Sequence, residues 1–370
     1  MKSYNHLFEQ VLDDNVIREA ADDTLKRIRI TNQYDHRNIF NYNFCINVIN
    51  NPGIMKDIIL NVDPNYIYYR QPIIIYDGIE RKQREIIVPE IYEIILQKCM
   101  INALMPALMK GMYYHSYASI PGRGTHAAAK TISTHISRVG NGKQIKYCLK
   151  MDIRKFFNNI NQKILYDKFD RIIRDKDFMR LIEFTLMAVP CGLPLGFYSS
   201  QWFANFYLQD LDHYIKEQLH ANFYVRYMDD MVIFGSSKRE LHRIREEIEY
   251  YLNNFLSLQL KDNWQVFRFD YGDDQGRALD FIGYRFYRNR TILRKKNLYK
   301  ITRKCNKVAH KSMPTIYDCQ VVLSSIGQLQ HTNTYELYNN MIKPNINFNY
   351  MKKKVANYSR LLNNYNIGGK

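Results

Sequence analysis

The sequence predicts an α+β chain in which short antiparallel hairpins alternate with longer helices. Three observations carry that reading. Tyr224 to Ile233 sets two adjacent carboxylates, Asp229 and Asp230, between β-branched and aromatic flanks, the pattern of a hairpin with acids at its tip. Ile73-Ile74-Ile75-Tyr76 before Asp77-Gly78, then Glu85-Ile86-Ile87-Val88-Pro89, reads as a second hairpin, with Arg81, Lys82 and Arg84 near its turn. Elsewhere apolar residues recur at helical spacing, as from Glu90 to Met109 with Ile91, Ile94, Ile95, Leu104 and Leu108.

Length and charge bound the function. A chain of 370 residues with 46% hydrophobic content buries a real core and holds two or three subdomains. No stretch approaches roughly 18 uninterrupted apolar residues, and Met-Lys-Ser-Tyr-Asn-His at the start lacks a signal-peptide apolar region. A cytoplasmic protein with no membrane partner is expected. The six cysteines stand singly, which indicates reduced thiols and neither a zinc site nor a disulfide framework. The net charge of +17 points to a polyanion, and 30 Tyr with 19 Phe add flat surfaces for bases and sugars.

In chain order, residues 1 to about 80 mix helical patches with Asn- and Tyr-rich turns. Ser116 to His126 contains Pro121-Gly122-Arg123-Gly124, a loop that lets backbone amides and one guanidinium approach phosphate, with Thr125 as cap of the Ala-rich helix that follows. Asn141-Gly142 closes that helix. Tyr147 to Ile153 is a strand ending at Asp152, followed by the basic-aromatic run Arg154-Lys155-Phe156-Phe157. Residues 161–190 read as helical. Cys191 to Gln201 is a Gly/Pro loop opening a long amphipathic helix, capped by Ser199 or Ser200 and running to about Leu219. A helix over 237–256 and two strands, Gln265 to Asp270 and Leu279 to Tyr287, come next. Ten Lys/Arg and no acid fall between Arg285 and Lys307, a backbone-phosphate track. A small helical bundle broken by Pro314 and Pro344 ends the chain. Read alone, each motif has a plainer explanation: a surface turn for Asp229-Asp230, a structural turn for Pro121 to Gly124, a helix cap for Asp152, a solvated cationic helix for the basic run.

Their order decides between the two. Lys150-Met151-Asp152-Ile153-Arg154-Lys155-Phe156-Phe157, Gly192-Leu193-Pro194-Leu195-Gly196 with Ser200-Gln201, Tyr227-Met228-Asp229-Asp230 and Phe281-Ile282-Gly283-Tyr284 follow one another over about residues 80 to 290. In this the chain resembles prokaryotic reverse transcriptases of the group II intron-related lineage. The resemblance implies a right-hand polymerase fold: fingers over 81–145 with an N-terminal extension over 1–80, a palm over 146–290 and a basic helical thumb over 291–370. It implies Asp152, Asp229 and Asp230 as catalytic carboxylates holding two Mg²⁺ (or Mn²⁺) roughly 3.5–4 Å apart, with Asp152 and Asp229 as the bridging pair. It further implies Phe157 as the steric gate against a ribose 2′-hydroxyl. Backbone amides of Lys155 and Phe156 and the Arg123 side chain would meet the triphosphate. Pro194, Leu195 and Gly196 would line the nascent base pair, with Gln201 in the same motif. Tyr227 and Met228 would touch the primer terminus, Phe281 to Tyr284 would form the primer grip, and Lys261 would be the general acid towards pyrophosphate.

Two departures refine this. Many family members carry Gln where Leu195 stands, and Leu195-Gly196 with Ser200-Gln201 resembles the motif of diversity-generating retroelement enzymes and of some defence-associated, abortive-infection enzymes. The roughly 80 residues after 290 suffice for a thumb but not for an RNase H domain, and no zinc-ligand cluster marks an endonuclease. The implied function is RNA-directed DNA synthesis from dNTPs on a dedicated, structured non-coding RNA, giving cDNA, with an accessory protein or a second copy as further partners. Template-poor or protein-primed DNA synthesis in phage defence, and a catalytically idle RNA-binding scaffold, are the competing functions.

Overall fold

The computed structural model describes residues 3–28, 34–65, 72–77, 82–138, 144–270, 276–334, 336 and 338–367. Aspartate caps start two of the first four helices. α1 (Leu7–Val11) and α2 (Asp14–Leu25) are separated by Asp13, whose carboxylate accepts from the amides of Asn15 and Val16. Asp35 likewise caps α3 (His36–Asn50), and α4 (Gly53–Leu60) follows. The predicted first hairpin forms from β1 (Ile73–Asp77) and β2 (Lys82–Ile86), paired from Ile73↔Ile86 to Asp77↔Lys82. Its turn, with Gly78 and Arg81, lies outside the described residues. An isolated two-stranded ribbon is marginal in water, and this one exposes Ile74 at 52% and Tyr76 at 67%. Its base is fixed where the Ile87 amide donates to the Leu195 carbonyl at 2.8 Å.

A capping box between Glu90 and Glu93 starts α5 (Ile91–Gly111). By length and composition α5 could cross a membrane, although Glu93 and Lys98 interrupt its apolar run, and 67% of its most apolar window is buried inside the chain. Here it is the helix around which the larger core is built. α6 (Thr125–Arg138) begins with Thr125 itself, so Thr125 is the first helical residue and not the expected cap; the Ala128 amide bonds back to the Gly124 carbonyl. Asn141-Gly142 lies outside the described residues.

The central sheet has β3 (Tyr147–Asp152), β4 (Phe223–Tyr227), β5 (Asp230–Gly235) and β6 (Gln265–Arg268) in the order β4-β5-β3-β6, every pair antiparallel. The two-residue period of a strand divides its side chains between two cores. Leu149, Met151, Met231 and Ile233 join a buried cluster with α1 to α5 and four further helices: α8 (Gln162–Asp170), α9 (Lys176–Leu186), α10 (Tyr198–His213) and α11 (Lys238–Phe255). A one-turn α7 (Phe156–Asn159) precedes them. Cys148, Val225, Val232 and Phe234 join a second cluster with α6 and a small sheet of β7 (Leu279–Phe281), β8 (Tyr284–Phe286) and β9 (Thr291–Leu293). Burial on both faces explains why Met231 to Phe234 is uninterruptedly apolar.

Three further expectations need correction. The strand expected over Leu279 to Tyr287 is two strands, because Ile282 (φ 46°) and Gly283 (φ 88°) turn the chain back through left-handed conformations. Neither Ser199 nor Ser200 caps α10. Ser200 Oγ donates to the Pro194 carbonyl at 2.7 Å, and the Ser199 amide and hydroxyl both donate to Gln97 Oε1 at 3.2 Å. α10 is buried on nearly every side rather than amphipathic, and continues as a π-helical turn over Tyr214–Gln218. Beyond β9, α12 (Lys295–Ala309), α13 (Ile316–Gly327) and α14 (Phe348–Ile367) complete the chain, with Thr315 and Asp318 forming a capping box at α13.

Candidate active site

Antiparallel register brings the first and last predicted acids together. Asp152 ends β3 directly opposite Asp230, which starts β5. The turn is one residue earlier than the sequence suggested: Tyr227 pairs with Asp230, so Met228 and Asp229 form the tip. Met228 makes this work by adopting a left-handed φ of 56°, a conformation usually left to glycine. The Asp229 carbonyl accepts from the Ile153 amide at 3.3 Å, which ties the tip to the end of β3. Lys261 arrives from the chain beyond α11: its amide donates to the Asp152 carbonyl at 2.8 Å and its ammonium forms an ion pair with Asp152 Oδ2.

Three acids in this space oppose one another. Burial, then the charges of Asp152 and Asp230, push the Asp229 carboxyl up to about 7. Burial and Asp152 also raise Asp230. Asp152 Oδ1 is buried with no hydrogen-bond partner among the described residues. Among those residues no three His, Cys, Asp or Glu side chains are drawn in to ligand distance, since Lys261 holds the other Asp152 oxygen. Nevertheless, an orphaned carboxylate oxygen beside a carboxyl kept from ionising is the donor chemistry that a hard divalent cation relieves.

The turn rests on a buried group that sequence reading missed. Arg226 is fully buried in β4. Its Nη2 and Nε donate to the two Asp212 oxygens at 2.6 and 2.8 Å, and its Nη1 donates to Asn205 Oδ1 and to the Met228 carbonyl, each at 3.0 Å. Tyr224 Oη donates to Asp212 at 2.7 Å, and Asn205 Nδ2 donates to the Ala118 carbonyl at 2.8 Å. The signal was present: an arginine inside Tyr224-Val225-Arg226-Tyr227 and an aspartate inside a buried helix both need partners.

The second predicted group gathers around Phe157. Lys155 takes φ 43° and opens α7, so the next amides are those a helix start leaves without intrahelical acceptors. Phe156 is buried, while Phe157 is half-buried at 5.5 Å from it, edge to face. The Gly/Pro loop closes on this segment, the Leu193 amide donating to the Phe157 carbonyl at 2.7 Å. Gly196 sits at φ 114°, and a Cβ there would lie 2.2 Å from the Ile87 carbonyl oxygen, so the loop needs glycine. Phe157, Leu195, Gly196 and Gln201 line a cavity of about 620 Å³ whose far wall is N-terminal, including Arg27 and Asn38. The contribution of residues 1–80 to this wall was not visible in the sequence. Pro194 is drawn aside, its carbonyl engaged by Ser200.

Other predicted residues lie elsewhere. Arg123 Nη1 turns back to the carbonyls of Tyr113 and Tyr114 at 3.0 and 3.3 Å, and its guanidinium stacks over the Tyr114 ring. Tyr227 is half-buried and Met228 buried beside the acids. The Ile282-Gly283 turn belongs to a sheet anchored next to them, since Lys150 Nζ donates to the Asp280 carbonyl at 2.8 Å.

A family model described as reverse transcriptase (RNA-dependent DNA polymerase) matches residues 79–286, more than half of the 370. Protein YkfC of Escherichia coli (strain K12) is 24% identical over 252 residues, covering 57% of this chain and 65% of its own length. Telomerase from Candida albicans, solved with the TWJ fragment of telomeric RNA, aligns with 76% of this chain and 56% of its own at 13% identity and a TM-score of 0.47. Apo telomerase from Candida tropicalis, truncated from its C-terminal domain, aligns with 61% of this chain and 54% of its own at 15% identity and a TM-score of 0.44. The chain thus spans less than two-thirds of the bacterial relative and little more than half of the telomerases.

Two outcomes follow from the site's electrostatics. Arg226→Ala leaves Asp212 buried and uncompensated, and should destabilise the fold by about 3–5 kcal/mol in urea unfolding. Asp229→Asn should raise the melting temperature of protein in EDTA at pH 8 by about 3 °C or more. Because the folded pKa lies above the ordinary value of 3.8, the wild-type group favours folding least above pH 7. The gap between the two proteins should therefore close towards pH 4; a gap that stays constant with pH would refute the raised pKa.

Proposed function

This chain belongs to the reverse transcriptase (RNA-dependent DNA polymerase) family, and from that premise we propose that it extends a primer with deoxynucleotides on an RNA template at Asp152, Asp229 and Asp230. The observation that carries the proposal is the register Asp152↔Asp230 with Asp229 at the adjoining tip. In polymerase terms, residues 146–290 serve as palm, the segments before them as fingers with an N-terminal extension, and 291–370 as thumb.

Asp152 and Asp229 would hold the divalent ions, Mg²⁺ with Mn²⁺ as substitute, and Asp230 would flank them. Such ions, when bound, neutralise the triphosphate and favour attack by the primer 3′-hydroxyl. Lys261 stands beside Asp152 and is suited to protonate departing pyrophosphate. Phe157, in the wall of the 620 Å³ cavity, is suited to exclude a ribose 2′-hydroxyl, with Leu195 and Gly196 against the nascent base pair. The cations of α12 suit the backbone of the growing duplex.

The sequence Leu195-Gly196 with Ser200-Gln201 supports a setting in a diversity-generating or anti-phage defence system with a dedicated structured RNA. An apolar side chain at position 195 offers no polar contact to the base pair, which suits loosened base selection. Product sequencing separates the settings: a copy of a separate repeat RNA marks diversification, and homopolymeric or short-repeat DNA marks defence.

Purified protein with its RNA should incorporate labelled dNTPs. The Asp229→Ala, Asp230→Ala double variant should lose at least about 10³-fold of that activity, roughly 4 kcal/mol of barrier; undiminished synthesis would remove the acids from the chemistry. Phe157→Ala should retain dNTP incorporation and raise rNTP incorporation about tenfold or more. Unchanged discrimination would assign the gate to another residue.

A further inference from the structure

The basic run from Arg285 to Lys307 is not one track in space. Arg294 forms an ion pair with Asp280, and Lys295 to Lys307 belong to α12. Arg288 and Arg290 instead sit in the β8–β9 turn and open on a separate cavity of about 450 Å³. Its other walls are α6 and the Thr332-Asn333 segment. Hairpin geometry places this cavity at the opposite end of β8 from the Ile282-Gly283 turn, and so away from the acids.

Three features of the cavity point to one ligand class. Lys130, Arg288 and Arg290 line it, and none of the described residues lining it is acidic. Ser133, Thr332 and Asn333 add hydroxyl and amide groups, the partners that sugar–phosphate backbones take. Tyr287 supplies a flat face, with the Arg290 guanidinium 4.9 Å over its ring. The walls are also fixed. Asn333 Oδ1 accepts from the Thr291 amide at 2.9 Å, and the Asn333 amide donates to the Thr291 carbonyl at 2.8 Å. Ser133 Oγ lies 3.1 Å from Thr291 Oγ1. Arg288 is braced by the Asp270 and Ile145 carbonyls at 2.9 and 2.8 Å. The volume lies within the range of preformed ligand sites.

We propose that this groove binds the sugar–phosphate backbone of a second nucleic-acid segment held outside the catalytic cleft, with Lys130 and Arg290 on its phosphates and the Ser133 hydroxyl and Asn333 side-chain amide on its sugars. It gives the enzyme a docking point for a structured part of an RNA whose other part is being copied. The groove stands on its own residues and does not depend on polymerase chemistry.

The full-length protein, saturated with a short hairpin primer–template to fill the cleft, is titrated with a labelled 20-nucleotide single-stranded RNA over a series of salt concentrations. Wild type should bind it. The Lys130→Gln, Arg290→Gln double variant should lose about tenfold or more in affinity, with the slope of log K against log salt smaller by about 1.4, two contacts at roughly 0.7 each. Both side chains are exposed, and unchanged extension of the hairpin primer verifies that the variant folds. Equal affinity and slope in the two proteins, or no second binding by wild type, overturns the proposal. Full displacement of the RNA by millimolar inorganic phosphate also overturns it, marking a small-anion site. A DNA strand of the same sequence separates the sources: weaker binding assigns RNA, equal binding any strand. Failure of primer extension in wild type would count against the polymerase reading alone, because groove binding is read separately.

Discussion

The site depends on one buried ion pair. Arg226 and Asp212, both without solvent exposure, join the hairpin strand β4 to the buried helix α10. Burying two charges carries a desolvation cost that the pair's attraction only roughly offsets, so net stability is a poor account of it. Geometry is a better one. Every oxygen of Asp212 and several donors of Arg226 are used, and one of those donors fixes the carbonyl of Met228, a residue in a conformation it would not choose alone. A strained turn persists only where its surroundings over-determine it. The network provides that, and the turn in turn sets where Asp229 projects.

Two sheet faces with different tasks follow from the same hairpin. Met231 and Ile233 anchor it in the larger core, whereas Asp230, Val232 and Phe234 look towards the smaller one. Asp230 meets Asp152 on that second face because antiparallel partners share a side. The acids are thus gathered by backbone register, without any attraction between them; burial first, and their mutual repulsion second, raise the Asp229 carboxyl.

Much of this was legible in the sequence, for identifiable reasons. Strand-end acids announce themselves between β-branched and aromatic flanks, and α5 by helical spacing. Lys261, implied by the resemblance alone, lies against Asp152. The exact turn was not legible, because Asp-Asp is the better turn signal and Met228 has no intrinsic preference for positive φ. Ser199 and Ser200 read as caps but lie inside the first turn of α10, and their partners, Gln97 and the Pro194 carbonyl, are non-local or lie behind them. Arg123 carries loop chemistry that suits phosphate, yet its side chain is engaged by the carbonyls of Tyr113 and Tyr114. The wall that α2 and α3 lend to the Phe157 cavity depends on long-range packing, which no local pattern encodes.

The bond from the Ile87 amide to the Leu195 carbonyl has a mechanical meaning. It hitches the root of a projecting, half-greasy ribbon to the loop whose glycine has no room for a side chain. The base of the ribbon and that loop therefore share one backbone bond, and parting them forfeits it at a net cost of about 1 kcal/mol.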